Sequence, residues 1–215
     1  MAAFNTEEHT IQSGKPSMVY DALLSEAYLA LAPKMGVEAT DQVRYDAEVF
    51  GNSVGKWAAF PDTVDAMKRL GKYYKLVPLS NVDRKSFEQT RTGPLGDVPF
   101  WKWYLAEDIG SYKPDLTNFE YLLKKLNADD RAEGGSGIAK EDDLMVAQSL
   151  FHDHVPSKQL GLASVWMARK GAGMGGTEKA RELHEEGRVG YGWRFATLGE
   201  FADEVERQWN EDQQK

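Results

Sequence analysis

Apolar residues recur three and four places apart over residues 17–35, where Met18, Tyr20, Leu23, Leu24, Tyr28 and Leu31 line up as an amphipathic helix requires. A second helix is expected over 40–50 with Thr40 as its N-cap. A third runs from Pro61-Asp62-Thr63 to Leu70, with Asp62 read as a capping acid. The period then changes. The apolar run 74–79, ending at Ser80, reads as a buried strand. It is followed by helix 83–90, strand 103–106, helix 116–126, strand 144–147, helix 156–160 and strand 163–167. The last helix, 198–209, puts Phe201, Val205 and Trp209 on one face, and the polar tail NEDQQK is expected to fray. The stretch 129–143, charged and rich in glycine, reads as a mobile surface loop. Strands alternating with helices predict an α/β fold with a parallel sheet.

Composition narrows this picture without redirecting it. The 215 residues suit one ordinary domain with room for a small insertion. With 34 acidic against 26 basic residues the net charge is -8, which opposes a polyanionic partner such as nucleic acid. The absence of cysteine removes disulfides, thiolate nucleophiles and Cys-based metal sites. The opening MAAFNTEEHT lacks the basic start and apolar run of a signal peptide, and no apolar stretch approaches the ~20 residues of a membrane span, so a cytoplasmic protein is expected.

In an open α/β sheet the binding residues gather where strands end in loops. Ser80-Asn81, Glu107-Asp108 and Gln148-Ser149 hold such places, and any one of them alone is adequately explained as a cap. Three segments carry more together: LVPLSNVD (76–83), DIGSYKPD (108–115) and VAQSLFHDHVPSKQLGLASVW (146–166). In type, order and spacing they resemble the second, third and fourth motifs of the haloacid dehalogenase superfamily, nearest its 2-haloacid dehalogenase branch. The resemblance implies a Rossmann-like core over residues 59–215 and a small helical cap over 1–58. It also implies roles. Ser80 and Asn81 would bind the substrate carboxylate or oxyanion, Lys113 would be the electrostatic anchor, Asp153 would orient it, and Ser149 would help bind the substrate, a small organic anion. Trp57 and Phe60 would line an apolar pocket. Gln148 stands where the family's magnesium phosphatases carry a metal-binding Asp, so metal-free chemistry is expected and Mg2+ disfavoured. Leu150, where that branch often has Asn, leaves the halogenated substrate open.

The family's nucleophile is an aspartate at the end of its first strand, in a run resembling Asp-x-Asp-Gly-Thr or Asp-x-Tyr-Gly-Thr. The chain has no such run, so the resemblance implies a core missing that strand and a site with nothing to activate. An incomplete copy of an active hydrolase and a degenerate, non-catalytic binding homologue both fit, and the retained motifs favour the first. Strand edges left open would call for covering or for pairing with another chain, so a homodimer is allowed. Two further signals read more simply as structure. Gly171, Gly173 and Gly176 match a dinucleotide fingerprint but read as a loop, and His152-Asp153-His154 lacks a recognisable third metal ligand. Trp101 and Trp103 read as packing residues.

Overall fold

The computed structural model describes residues 2–169 and 177–214. The glycine triplet at 171, 173 and 176 lies outside them. In chain order the first elements are α1 (Ala2–Gly14), α2 (Tyr20–Leu31), α3 (Asp41–Gly51), α4 (Thr63–Leu70), β1 (Leu79–Ser80) and α5 (Arg84–Thr92). Next come β2 (Tyr104–Leu105), α6 (Ala106–Ile109), α7 (Leu116–Ala132) and β3 (Leu144–Ala147). The chain continues through a π-helical turn (Leu150–His154) into α8 (Val155–Leu160), β4 (Ala163–Met167), α9 (Thr177–Glu185), β5 (Trp193–Phe195) and α10 (Leu198–Asp212). Among the described residues no helix is long and apolar enough to cross a membrane.

The chain forms two compact units. The first takes the residues up to Ala59 together with Pro78–Asp97 and Trp103–Tyr112. The second takes Phe60–Val77, Val98–Lys102 and everything from Lys113 onward.

In the first unit, Leu23 and Leu24 of α2 are almost wholly buried with Tyr20, Val54 and Tyr112, and Phe4 and Phe50, edge to face with each other, pack against them. The sequence did not suggest α1, because its inward positions include polar Glu8 and Gln12. Burial is tolerable for Glu8 because the Tyr20 hydroxyl donates to its Oε1 at 2.8 Å. Even so, desolvation holds the Glu8 carboxyl above its usual range. Thr40 caps α3 by accepting from Val43 N, as expected. At the end of α3, Gly51 lies so close to α2 that a Cβ would meet the Asp21 carbonyl at 2.2 Å, so only glycine fits there. β1 and β2 pair in parallel, Leu79 with Tyr104 and Ser80 with Leu105.

In the second unit β3, β4 and β5 form a parallel sheet in that order. Leu144 and Val146 of β3 and Val165 and Met167 of β4 pack with Ala66 and Leu70 of α4 and Phe201 and Ala202 of α10. The expected strand over 74–79 is mostly irregular. Pro78 has no N–H to donate, and among the described residues the segment's strand pairing within this unit is an isolated bridge, Leu76 with Phe100. The expected loop at 129–143 is more ordered than its composition suggested. α7 runs on to Ala132, and buried Asp130 accepts from Lys75 Nζ and from Gly137 N at 2.9 Å. The tail also holds its helix further than expected, to Asp212.

Candidate functional site

The polar residues of interest sit where parallel strands end. In the second unit β3 ends at Ala147 and Gln148-Ser149 follow. Ser149 caps the π-helical turn by accepting from His152 N at 3.1 Å, and its Oγ lies 3.0 Å from His152 Nδ1. A π-helical turn carries one more residue per hydrogen-bonded loop than an α-helical one, and that extra residue changes which side chains face inward. Here Asp153 and His154 are both buried. Lys113, just ahead of the Asp115 cap of α7, places Nζ 2.6 Å from Asp153 Oδ1. The two side chains are only 13% and 8% exposed, so this is an interior ion pair.

His154 is held from both nitrogens. Nε2 is 3.0 Å from the Ala147 carbonyl, which can only accept, so Nε2 carries the proton. Nδ1 lies 3.1 Å from Ser164 Oγ, and that hydroxyl is also 3.1 Å from the Gly190 carbonyl. Burial pushes the His154 pKa down from 6.5. The folded chain therefore resists taking a proton that the unfolded chain accepts, and stability is expected to fall as pH drops below about 6.5. Nitrogen-15 chemical shifts at neutral pH should show the Nε2–H tautomer. A doubly protonated ring there would contradict the assignment.

The HDH triplet thus points three ways: to Ser149, to Lys113 and to the β3–β4 ladder. Among the described residues no three His, Asp or Glu side chains converge as metal ligands. At the end of β3 the available donors are a neutral Gln148 amide and an Asp153 carboxylate already bonded to Lys113, a poor fit for a hard octahedral cation.

Asp62 departs from its expected role. Its side chain makes no cap bond; it instead takes Arg169 in a two-point ion pair at 2.6 and 2.9 Å and accepts from Gly199 N. Sequence reasoning missed Arg169, which lies 107 positions away and leaves no local signature. The bonds from Arg169 hold the Asp62 carboxyl down at about 2. The sign follows from its usual 3.8: the stabilisation is complete above that value and is lost as pH falls toward 2. Screening at this partly open site limits it to about 1–2 kcal/mol. Acid titration of Asp62→Asn should lack this phase.

In the first unit Ser80 closes β1 and Asn81 follows, both half-buried. Asp83 caps α5, accepting from Ser86 N at 2.7 Å, and also accepts from Asp21 N at the start of α2. Glu107 and Asp108 grip Arg84 at 2.9 and 2.5 Å. A cavity of ≈ 60 Å³ lies among Tyr20, Val82, Asp83, Glu107 and Tyr112. Tyr112 donates to the Met18 carbonyl, and burial, reinforced by the surrounding acids, raises its pKa.

The expected site residues therefore fall in both units: Ser80, Asn81 and Trp57 in the first, Phe60, Lys113, Ser149 and Asp153 in the second. Only Lys113 and Asp153 are joined by a direct bond described above. Trp57 is about half exposed and donates to Ser53 Oγ; Phe60, also about half exposed, lies under the Arg169 guanidinium. Trp101, between Lys75 and Lys102 and bonded to Glu133, and Trp103, against Phe87 and Arg91, are packing residues as expected.

No protein-family model and no curated protein sequence matches the chain. Solved structures do. L-2-haloacid dehalogenase from Xanthobacter autotrophicus superposes with a TM-score of 0.69 at 15% identity, covering 95% of this chain and 84% of that one. The fold is that of the haloacid dehalogenases. A second dehalogenase gives 0.69 at 16% identity over 93% and 80% of the two chains. A structure described as a haloacid dehalogenase-type hydrolase of Bacillus subtilis bound to magnesium gives 0.67 at 17% over 95% and 81%. The haloacid dehalogenase fold explains why strand-end residues dominate the motifs, since parallel sheets present their loops at one edge.

Proposed function

We propose that this chain is a haloacid dehalogenase-type hydrolase scaffold that binds a small 2-haloacid or a related organic acid, and that in the form in hand it binds without turnover. The buried Lys113–Asp153 pair carries this reading. One carboxylate oxygen fixes the ammonium, whose three donor protons suit it to share an anionic substrate oxygen in a site of low dielectric. In the same unit Ser149 supplies a neutral donor at the end of β3, and Phe60 supplies apolar surface. In dehalogenase-type chemistry an aspartate carboxylate displaces halide from the α-carbon and water cleaves the resulting ester. The sequence has no acid followed by Gly-Thr to make that attack.

The test is a pair of assays on the purified chain. 2-Chloropropionate should bind with no release of chloride, and Lys113→Met should weaken binding about tenfold or more, the scale of one charge-assisted hydrogen bond. Chloride release by the chain itself would overturn the non-catalytic part of the reading. Binding untouched by Lys113→Met would overturn the site. Magnesium-dependent release of phosphate from p-nitrophenyl phosphate would move the reading to a phosphatase, which Gln148 argues against.

A further inference from the structure

The β3–β4 ladder stops short of Ser149. Its last register pair is Ala147 with Trp166, and side chains hold the backbone beyond. Trp166 Nε1–H donates to the Gln148 carbonyl at 3.1 Å. His154, held at Nδ1 by Ser164 Oγ, gives its Nε2–H to the Ala147 carbonyl at 3.0 Å. Ser164 and Trp166 alternate with Val165 along β4 and so share one face of the strand. Successive peptide planes at the end of β3 are thus pinned from that face. Each plane is rigid, so fixing a carbonyl also fixes the N–H of the residue that follows. Pinning the Gln148 carbonyl in this way limits how Ser149 can aim its side chain. The indole is itself clamped. Its ring lies 5.2 Å from Tyr191 and 5.6 Å from His184, with the Arg194 guanidinium 4.9 Å from its centre. Tyr191 also meets His154 edge to face at 5.9 Å, so one tyrosine braces both donors. His184 is fixed in turn: Nδ1 is 2.6 Å from the Ala180 carbonyl, which only accepts, so Nε2 takes the Tyr191 hydroxyl at 3.2 Å.

We propose that Trp166 is a positioning residue for the anion site at the end of β3, its indole N–H setting the Gln148–Ser149 peptide and with it the aim of the Ser149 hydroxyl. That an anion is what Ser149 meets rests on the function proposed above; the positioning rests on the bonds around Gln148. Packing alone does not call for the N–H, since a phenylalanine would fill much of the same space among these rings. Trp166 acts through Ser149, so loss of the indole N–H and loss of the serine hydroxyl are one effect on binding and do not add.

A double-mutant cycle on the whole chain tests it, with 2-chloropropionate as the probe. Trp166→Phe should weaken binding about three- to tenfold in the parent, the scale of one neutral hydrogen bond. On a Ser149→Ala background the same change should cost less than about twofold. Equal weakening in both backgrounds, or none in a parent that binds, overturns the proposal. The nitrogen-15 signal of His152 Nδ1, which lies 3.0 Å from Ser149 Oγ, gives a second reading without ligand. Trp166→Phe should shift that signal as the hydroxyl turns, and an unmoved signal overturns the proposal. A parent that binds nothing while the signal moves overturns the function proposed above and supports the positioning of Ser149 by Trp166. If Trp166→Phe does not fold, benzothienylalanine at position 166 keeps the indole's shape without its N–H and carries the same expectations.

Discussion

Asp153→Ala should cost about 3–5 kcal/mol of unfolding free energy, more than loss of a surface pair by severalfold. The cost arises because the Lys113 ammonium, with its side chain only 13% exposed, loses the carboxylate 2.6 Å away that offsets its desolvation. Lys113→Met combined with Asp153→Leu should recover most of the loss, since an apolar pair of similar volume removes both charges from the interior. Urea denaturation of the single and double variants measures this. A single variant within about 0.5 kcal/mol of the parent would place the pair among surface ion pairs.

Leu23→Ala should remove about 2–5 kcal/mol, because Leu23 is 0% exposed at the centre of the first unit's core and α2 and α3 leave little room to collapse. The loss should fall on the first unit. Amides of α2 and α3 are expected to lose exchange protection at lower denaturant than those of β4, giving two transitions instead of one. Equal loss in both units would show that they unfold as one body.

These two residues mark the extremes of what the sequence makes legible. Leu23 belongs to a regular three-and-four spacing, and α2 set by that spacing, α3 begun by its Thr40 cap, and the strands β3 and β4 lie where expected. Pattern fails where burial and polarity part company. α1 hides because Glu8 faces inward under the Tyr20 hydroxyl, and β5 hides because it is three residues long and exposes Trp193. The Lys113–Asp153 pair was visible only through the family resemblance, since no local rule joins residues 40 positions apart. Asp62 had a plausible local role as a cap, and Arg169 displaced it: a two-point charged bond outweighs a single capping bond. The π-helical turn at Leu150–His154 adds a residue that helical periodicity does not anticipate, and it is this turn that buries Asp153.

The interleaving of the two units has a consequence for the order in which the chain can fold during synthesis. Every segment of the first unit has left the ribosome's tunnel soon after Tyr112 is made, so that unit can close early. The segments 60–77 and 98–102 emerge in the same interval with their partners still unmade. Leu70 waits for Val165 and Phe201, and Lys75 waits for Asp130. The nascent chain thus carries the uncovered apolar face of α4, Ala66 and Leu70, until β4 and α10 are made, and that interval is where chaperone capture or misassembly would act.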